Sequence, residues 1–256
     1  MIFDSHVHTR FSTDSQMHIE EAIAKAERLD IGIIITEHMD LEYPQPEFFK
    51  FNLDDYFQEY DCYRSPRLRL GVEMGMRYEL ADKNREMAVH YPFDFIIGSV
   101  HVVDKKEIYP EAFYQGRCKK EAYDRYFDTM YGCVQQFDFV DTLGHIDYIC
   151  RYAAVEDPEI DYAEFRDRID PILTLLAERG QAIEINSRRL DNPRAVESLF
   201  PIYRRFQELG GQWVTIGSDA HNPVDIGRRL DKAIELAERC RLRPVWFDKR
   251  KPQLMK

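Results

Sequence analysis

Long apolar runs are missing from this sequence. No window approaches the roughly 18 to 20 residues needed to cross a bilayer, and a charged fraction of 32% interrupts every apolar stretch. The first residues lack the basic segment, apolar core and small-residue cleavage site of an export signal, so Met1 to Asp4 reads as structure. Cys-x-x-Cys pairs are absent as well. The five cysteines, Cys62, Cys118, Cys133, Cys150 and Cys240, are odd in number and scattered, which fits reduced thiols in a cytoplasm. Positive charge is in short supply: a formal charge of -11 disfavours a nonspecific nucleic-acid surface. Pairs such as Lys105-Lys106 and Lys119-Lys120 read as solvated faces. Neither a membrane nor a nucleic acid is expected as a partner. No repeat, low-complexity tract or linker divides the chain, so residues 1–256 are expected to form one domain.

What the sequence does contain is enough apolar material, 44% hydrophobic and 13% aromatic, to bury one large core. Short apolar runs recur at Ile2 to Phe3, Gly32 to Thr36, Arg69 to Met74, Phe93 to Gly98, Thr142 to Ile146, Ala182 to Ile185 and Trp213 to Gly217. Between them lie helical spacings such as Ile19, Ile23, Ala26 and Leu29, then Ile169, Ile172, Leu173, Leu176 and Ala177. Sustained strand–helix alternation predicts an α/β fold with a parallel sheet and helical crossovers, preferably a closed (β/α)7-type barrel. Two segments break the rhythm after strands: Leu41 to Phe51, rich in proline and aromatics, and Val102 to Cys118, with Tyr109, Pro110 and Gly116. Such insertions usually line the mouth of a barrel site.

Six of the eight histidines fall near predicted C-terminal strand ends, the face where α/β barrels place their chemistry. His6-Val7-His8 has the period-two spacing that aims both imidazoles at one face. Further along come His38, Glu73, His101, His145 and Asp219-Ala220-His221. Any one of these has an ordinary structural reading, as a buried histidine or a capping aspartate. Their recurrence at successive strand ends argues for metal ligation. His18 and His90 do not share the placement.

The ordered segments Asp4-Ser5-His6-Val7-His8, Thr36-Glu37-His38, Gly71-Val72-Glu73, Gly98-Ser99-Val100-His101, Gly144-His145-Ile146-Asp147 and Gly217-Ser218-Asp219-Ala220-His221 resemble the motifs of the polymerase-and-histidinol-phosphatase (PHP) superfamily. With Glu184-Ile185-Asn186 they are most similar to its monofunctional histidinol-phosphate phosphatases. The resemblance spans nearly the whole chain and implies a distorted (β/α)7 barrel of the PHP type. It also implies three divalent metal ions, zinc, iron or manganese. One would be held by His6, His8, Glu73 and Asp219, a second by Glu73, His101 and His145, and a third by Asp14, His38 and His221. Asp14 stands where some relatives carry histidine, which makes the third set more oxygen-rich. Glu37 replaces the aspartate more often found before this histidine and is expected to act only by hydrogen bonding.

The expected reaction is hydrolysis of L-histidinol phosphate, a phosphomonoester, with a hydroxide shared by the first two metals attacking phosphorus in line. Three dications, three carboxylates and that hydroxide leave a local charge of about +2, a match for a dianionic monoester within an acidic protein. Asp219 or His221 is expected to relay a proton. Arg151 and Arg188 are the expected phosphate donors, because guanidinium offers a planar fork to two oxygens. Glu42 and Tyr43 are the expected contacts for the amine and imidazole. The same ligands would serve another small phosphomonoester, such as a nucleotide or sugar phosphate, or phosphotyrosine. An amidohydrolase-like barrel shares the early His-x-His and the late aspartate, but not the extra pair His38 and His221. A noncatalytic PHP module is disfavoured because each expected ligand position carries a competent atom.

Overall fold

β1 (Phe3–Val7), β2 (Gly32–Met39), β3 (Leu68–Gly75) and β4 (Phe95–Ser99) run parallel in consecutive order in the computed structural model of the chain. The structure describes residues 1–109, 111–153 and 155–255, so Pro110 of the second insertion lies outside it. A small antiparallel hairpin follows, β5 (Val102–Val103) with β6 (Lys106–Glu107). The parallel sheet resumes with β7 (Thr142–Leu143), β8 (Ala182–Asn186) and β9 (Trp213–Gly217). All seven expected strands are present, and they alternate with helices.

The helices are α1 (Ile19–Leu29), α2 (Leu53–Tyr60), α3 (Ala81–His90), α4 (Lys119–Gln136), α5 (Tyr162–Arg179), α6 (Pro193–Glu208) and α7 (Leu230–Cys240). Their buried stripes, such as Ile19, Ala22 and Ala26 on α1 or Ile169, Ile172, Leu173 and Leu176 on α5, pack onto the strands. His18 is the exposed cap of α1, its main-chain N–H bonded to Glu21 Oε2 at 2.8 Å. His90 is exposed at the end of α3.

The expected closed barrel is not closed by a strand ladder among the described residues: the sheet runs from β1 to β9 and on to a further hairpin. Just beyond β9 a single parallel bridge, Val7 to Ala220, joins the two sides, with His8 N donating to Ala220 O at 2.9 Å. On the β2 side the register of β1 is interrupted between Asp4 and Val7. On the β9 side the buried Asp4 carboxylate makes the connection, accepting from Ser218 N (2.8 Å), Ser218 Oγ (2.6 Å) and Gly227 N (2.8 Å). A side chain thus does what ladder bonds would otherwise do.

The remaining edge of β9 is taken by a hairpin that the apolar pattern does not announce, β10 (Arg243–Asp248) and β11 (Lys251–Leu254). Val245 and Phe247 of β10 enter a separate small core with Phe3, Ile34, Phe95 and Ile97. Phe247 stacks on Phe95 with ring centroids 5.1 Å apart, and Trp246 stacks on Phe3 at 4.0 Å. This second core lies toward the N-terminal ends of the strands, leaving the opposite ends to polar side chains.

Candidate metal centre

Six of the parallel strands, β1, β2, β3, β4, β7 and β9, deliver donors into a common space. His6 lies in β1, with His8 just beyond it. His38 belongs to β2 and Glu73 to β3; His101, His145 and Asp219 each stand two residues past β4, β7 and β9. Asp14 comes from the turn between β1 and α1, and His221 follows Asp219.

Glu73, fully buried, is the centre of this group. Its Oε1 lies 2.9 Å from His145 Nε2 and 3.3 Å from His101 Nε2. Its Oε2 lies 2.9 Å from His38 Nδ1, 3.2 Å from His6 Nε2 and 3.5 Å from His8 Nε2. Asp219 Oδ1 approaches His8 Nε2 at 3.3 Å and His6 Nε2 at 3.7 Å, while Asp14 Oδ2 lies 3.0 Å from His221 Nε2 and 3.7 Å from His38 Nε2.

Two observations test whether such a set suits metal. His6 Nε2, His8 Nε2, His38 Nδ1 and Glu73 Oε2 are buried without a hydrogen-bond partner, and they face one another. Orphaned buried polar atoms are costly, and divalent cations among them would satisfy them. Moreover, donors on one tetrahedral zinc stand about 3.3 Å apart, close to the spacings above. Four triads have their donor atoms within 4.8 Å of one another: His6 with His8 and Glu73, His6 with His145 and Asp219, His38 with Glu73 and His101, and His8 with His38 and His221. The mixed nitrogen and oxygen set fits zinc, iron or manganese.

The electrostatics agree. Burial alone would raise the Glu73 carboxyl, but His6, His38 and His101 hold it well below the usual range. Asp219 is held down likewise, with Arg151 and His6 outweighing burial. Burial, helped by His38 and His221, pushes His8 well below the usual imidazole value, and burial lowers His145.

Behind the donors stands a ring of partners that spacing alone did not reveal. His6 Nδ1 faces Glu184 Oε1 at 2.6 Å, and His101 Nδ1 faces Asp40 Oδ1 at 2.9 Å. His8 Nδ1 meets Ser12 Oγ at 3.1 Å, and Ser12 in turn donates to Glu37 Oε2 at 2.5 Å. Such contacts leave Nε2 of His6, His8 and His101 directed inward. Asp40 had a legible signal, since it sits two residues after His38 on the same strand face.

A cavity of about 260 Å³ opens over the centre, walled by Asp14, His38, His101, His145, Arg151 and His221 among others. Arg151 Nη1 bonds Asp219 Oδ2 at 2.6 Å, its guanidinium lies over the Tyr148 ring, and its Nε and Nη2 have no hydrogen-bond partner. Arg188, half-exposed at the mouth, is 3.7 Å from the same Asp219 oxygen. Arg189, by contrast, is taken up by Asp147 (2.8 Å) and Glu159 (2.6 Å). Glu42 is not brought to this cavity: its exposed carboxylate pairs with Lys83 Nζ at 2.7 Å. Tyr43 is half-buried and packs edge-on against Phe49, which packs against His38.

The comparisons with known proteins converge on one group. The PHP domain model matches residues 4–188. The chain is 48% identical over 250 residues to the probable histidinol-phosphatase of Clostridium acetobutylicum, covering 98% of each. It is 34% identical over 228 residues to the histidinol-phosphatase of Lactococcus lactis subsp. lactis, covering 85% of this chain and 83% of that protein. Among solved structures, histidinol phosphate phosphatase from Lactococcus lactis subsp. lactis, complexed with zinc, L-histidinol and phosphate, superposes with a TM-score of 0.90 at 30% identity over 98% of both chains. An archaeal ribonuclease P chain, at TM-score 0.56 and 15% identity, shares the fold alone. With strand order, buried donors and sequence in agreement, this chain belongs to the PHP domain family.

Proposed function

We propose that the chain hydrolyses L-histidinol phosphate to L-histidinol and phosphate, using divalent metals held at the strand ends. The observation that carries this reading is the likeness, over nearly the full length, to a phosphatase complexed with zinc, L-histidinol and phosphate. We assign three ions: one to His6, His8, Glu73 and Asp219, one to Glu73, His101 and His145, and one to Asp14, His38 and His221. Divalent ions there supply Lewis acidity toward phosphoryl oxygen and ionise water near neutral pH. The protein's own groups do the rest. Arg151, anchored by Asp219, offers its unpartnered Nε and Nη2 to the phosphate, and Arg188 adds charge at the mouth. Asp219 or the neighbouring His221 relays a proton, and Arg151 keeps the Asp219 carboxylate ionised. Tyr43 forms part of the leaving-group wall through Phe49, whereas Glu42 pairs with Lys83.

Residues 1–256 are treated as one working unit, because β1 near one end of the chain and His221 near the other build the same site. Five free cysteines support a cytoplasmic setting. Among the described residues no helix is long and apolar enough to cross a membrane.

The test is kcat/KM for L-histidinol phosphate beside a nucleotide, a sugar phosphate and phosphotyrosine, under zinc, iron and manganese, with metal counted per chain. A preference of at least about a hundredfold is expected. A flat profile would sink the substrate assignment, and inactivity under every metal would sink the phosphatase reading.

A further inference from the structure

Glu184 lies in β8, outside every proposed ligand set, yet both of its carboxylate oxygens are committed to the centre. Oε1 accepts from His6 Nδ1–H at 2.6 Å. Oε2 accepts from the main-chain N–H of His145 at 2.7 Å and from Asn186 Nδ2 at 3.3 Å. The residue is 1% exposed, so water does not substitute for it. Room for this reach comes from Gly217, where an added Cβ would stand 2.6 Å from Glu184 Oε1 and collide with His6 Cβ.

We infer that Glu184 is a positioning residue that couples the first two metal sites, fixing the His6 tautomer for one and the main chain that presents His145 for the other. The inference rests on the metal assignment proposed above. A carboxylate is required because two N–H donors converge on it from different strands. An amide has one acceptor oxygen and one NH2, so one of those donors would face another donor. If the NH2 faces His6, the ring must carry its proton on Nε2, where the lone pair for the metal is needed. If it faces His145, the strand end that carries this ligand is pushed away. His8 is held by the neutral Ser12 hydroxyl at 3.1 Å, which also accepts the main-chain N–H of His38 at 3.0 Å, but a hydroxyl carries no charge to hold the ring.

The experiment compares the metal-free full chain with its Glu184→Gln and Glu184→Asp variants. Zinc affinity is read by competition with a chromophoric chelator, ligand geometry by the visible spectrum of the cobalt(II) form, and fold by thermal melting without metal. Glu184→Gln is expected to melt close to wild type without metal, to bind zinc about 10- to 100-fold more weakly and to show an altered cobalt spectrum, with kcat falling more than KM rises. Wild-type zinc affinity and cobalt spectrum in Glu184→Gln would overturn the inference, as would lost metal-free stability with zinc affinity intact. Should Glu184→Gln fail to fold, Glu184→Asp decides: weaker zinc binding in a folded chain supports the coupling, and unchanged binding overturns it. A wild-type chain that takes up no zinc removes the metal assignment itself, a result distinct from equal binding by wild type and variant.

Discussion

Asp219 adopts φ of +56°, a left-handed conformation that non-glycine residues adopt at a cost. The geometry lets one carboxylate turn Oδ1 to His6 and His8 and Oδ2 to Arg151. Arg151, the proposed phosphate contact, is thus also the counter-charge of a proposed ligand. Replacing it with alanine removes charge-assisted hydrogen bonds worth about 1.5–3 kcal/mol, so KM should rise roughly tenfold to a hundredfold. Metal content should stay near wild type, because the histidines and Glu73 remain. Steady-state kinetics with metal analysis checks this; unchanged KM would remove Arg151 from the phosphate site. At this scale the donors were legible because histidine and glutamate recurred at strand ends. Glu184 and Ser12 were not assigned a partner, since a carboxylate or hydroxyl in a strand or turn carries no mark of the ring it supports. Glu42 and Tyr43 were chosen by proximity in sequence to His38, and proximity does not say which way a loop turns its side chains.

Strands and helices were easier to read in their middles than at their ends. β1 looked like Ile2 to Phe3 because its other half is Asp4, Ser5 and His6, polar residues buried to serve the site and not the core. β2 likewise runs on through Glu37 and His38. The β10–β11 hairpin escaped notice because Arg243-Pro244 and Lys249-Arg250-Lys251-Pro252 dilute its apolar residues, and only Val245 and Phe247 of β10 join the small second core. Those two still matter. Phe247→Ala should cost roughly 3–5 kcal/mol, the usual range for emptying a buried aromatic site. Urea unfolding of the metal-free chain measures it. A loss under about 1 kcal/mol would make the hairpin ornamental to the core, and zinc affinity should hold in either case because the donors lie at the opposite strand ends.

For the molecule as a whole, the strand ends gather acids and imidazoles into one buried space. Burial works to lower His6 and His38, but carboxylates prevail: Glu184, Glu73 and Asp219 raise His6, and Glu73 with Asp14 raises His38. With the metal-free values raised above that of an ordinary imidazole, protons compete with a cation for these rings. Zinc affinity should therefore increase with pH, and calorimetry in buffers of different ionisation enthalpy should detect at least about one proton released per chain. No release would mean that the rings are neutral before metal binds. The bridge from Val7 to Ala220 has a consequence in time as well as space. During synthesis His6 leaves the ribosome long before Asp219, so a chain still short of Asp219 carries imidazoles and acids whose partners do not yet exist. A chain halted before Asp219 has Glu73 and most of the histidines but no way to draw the first strand against the ninth. On the proposed assignment, competence for metal is acquired all at once, when segments made far apart in time meet.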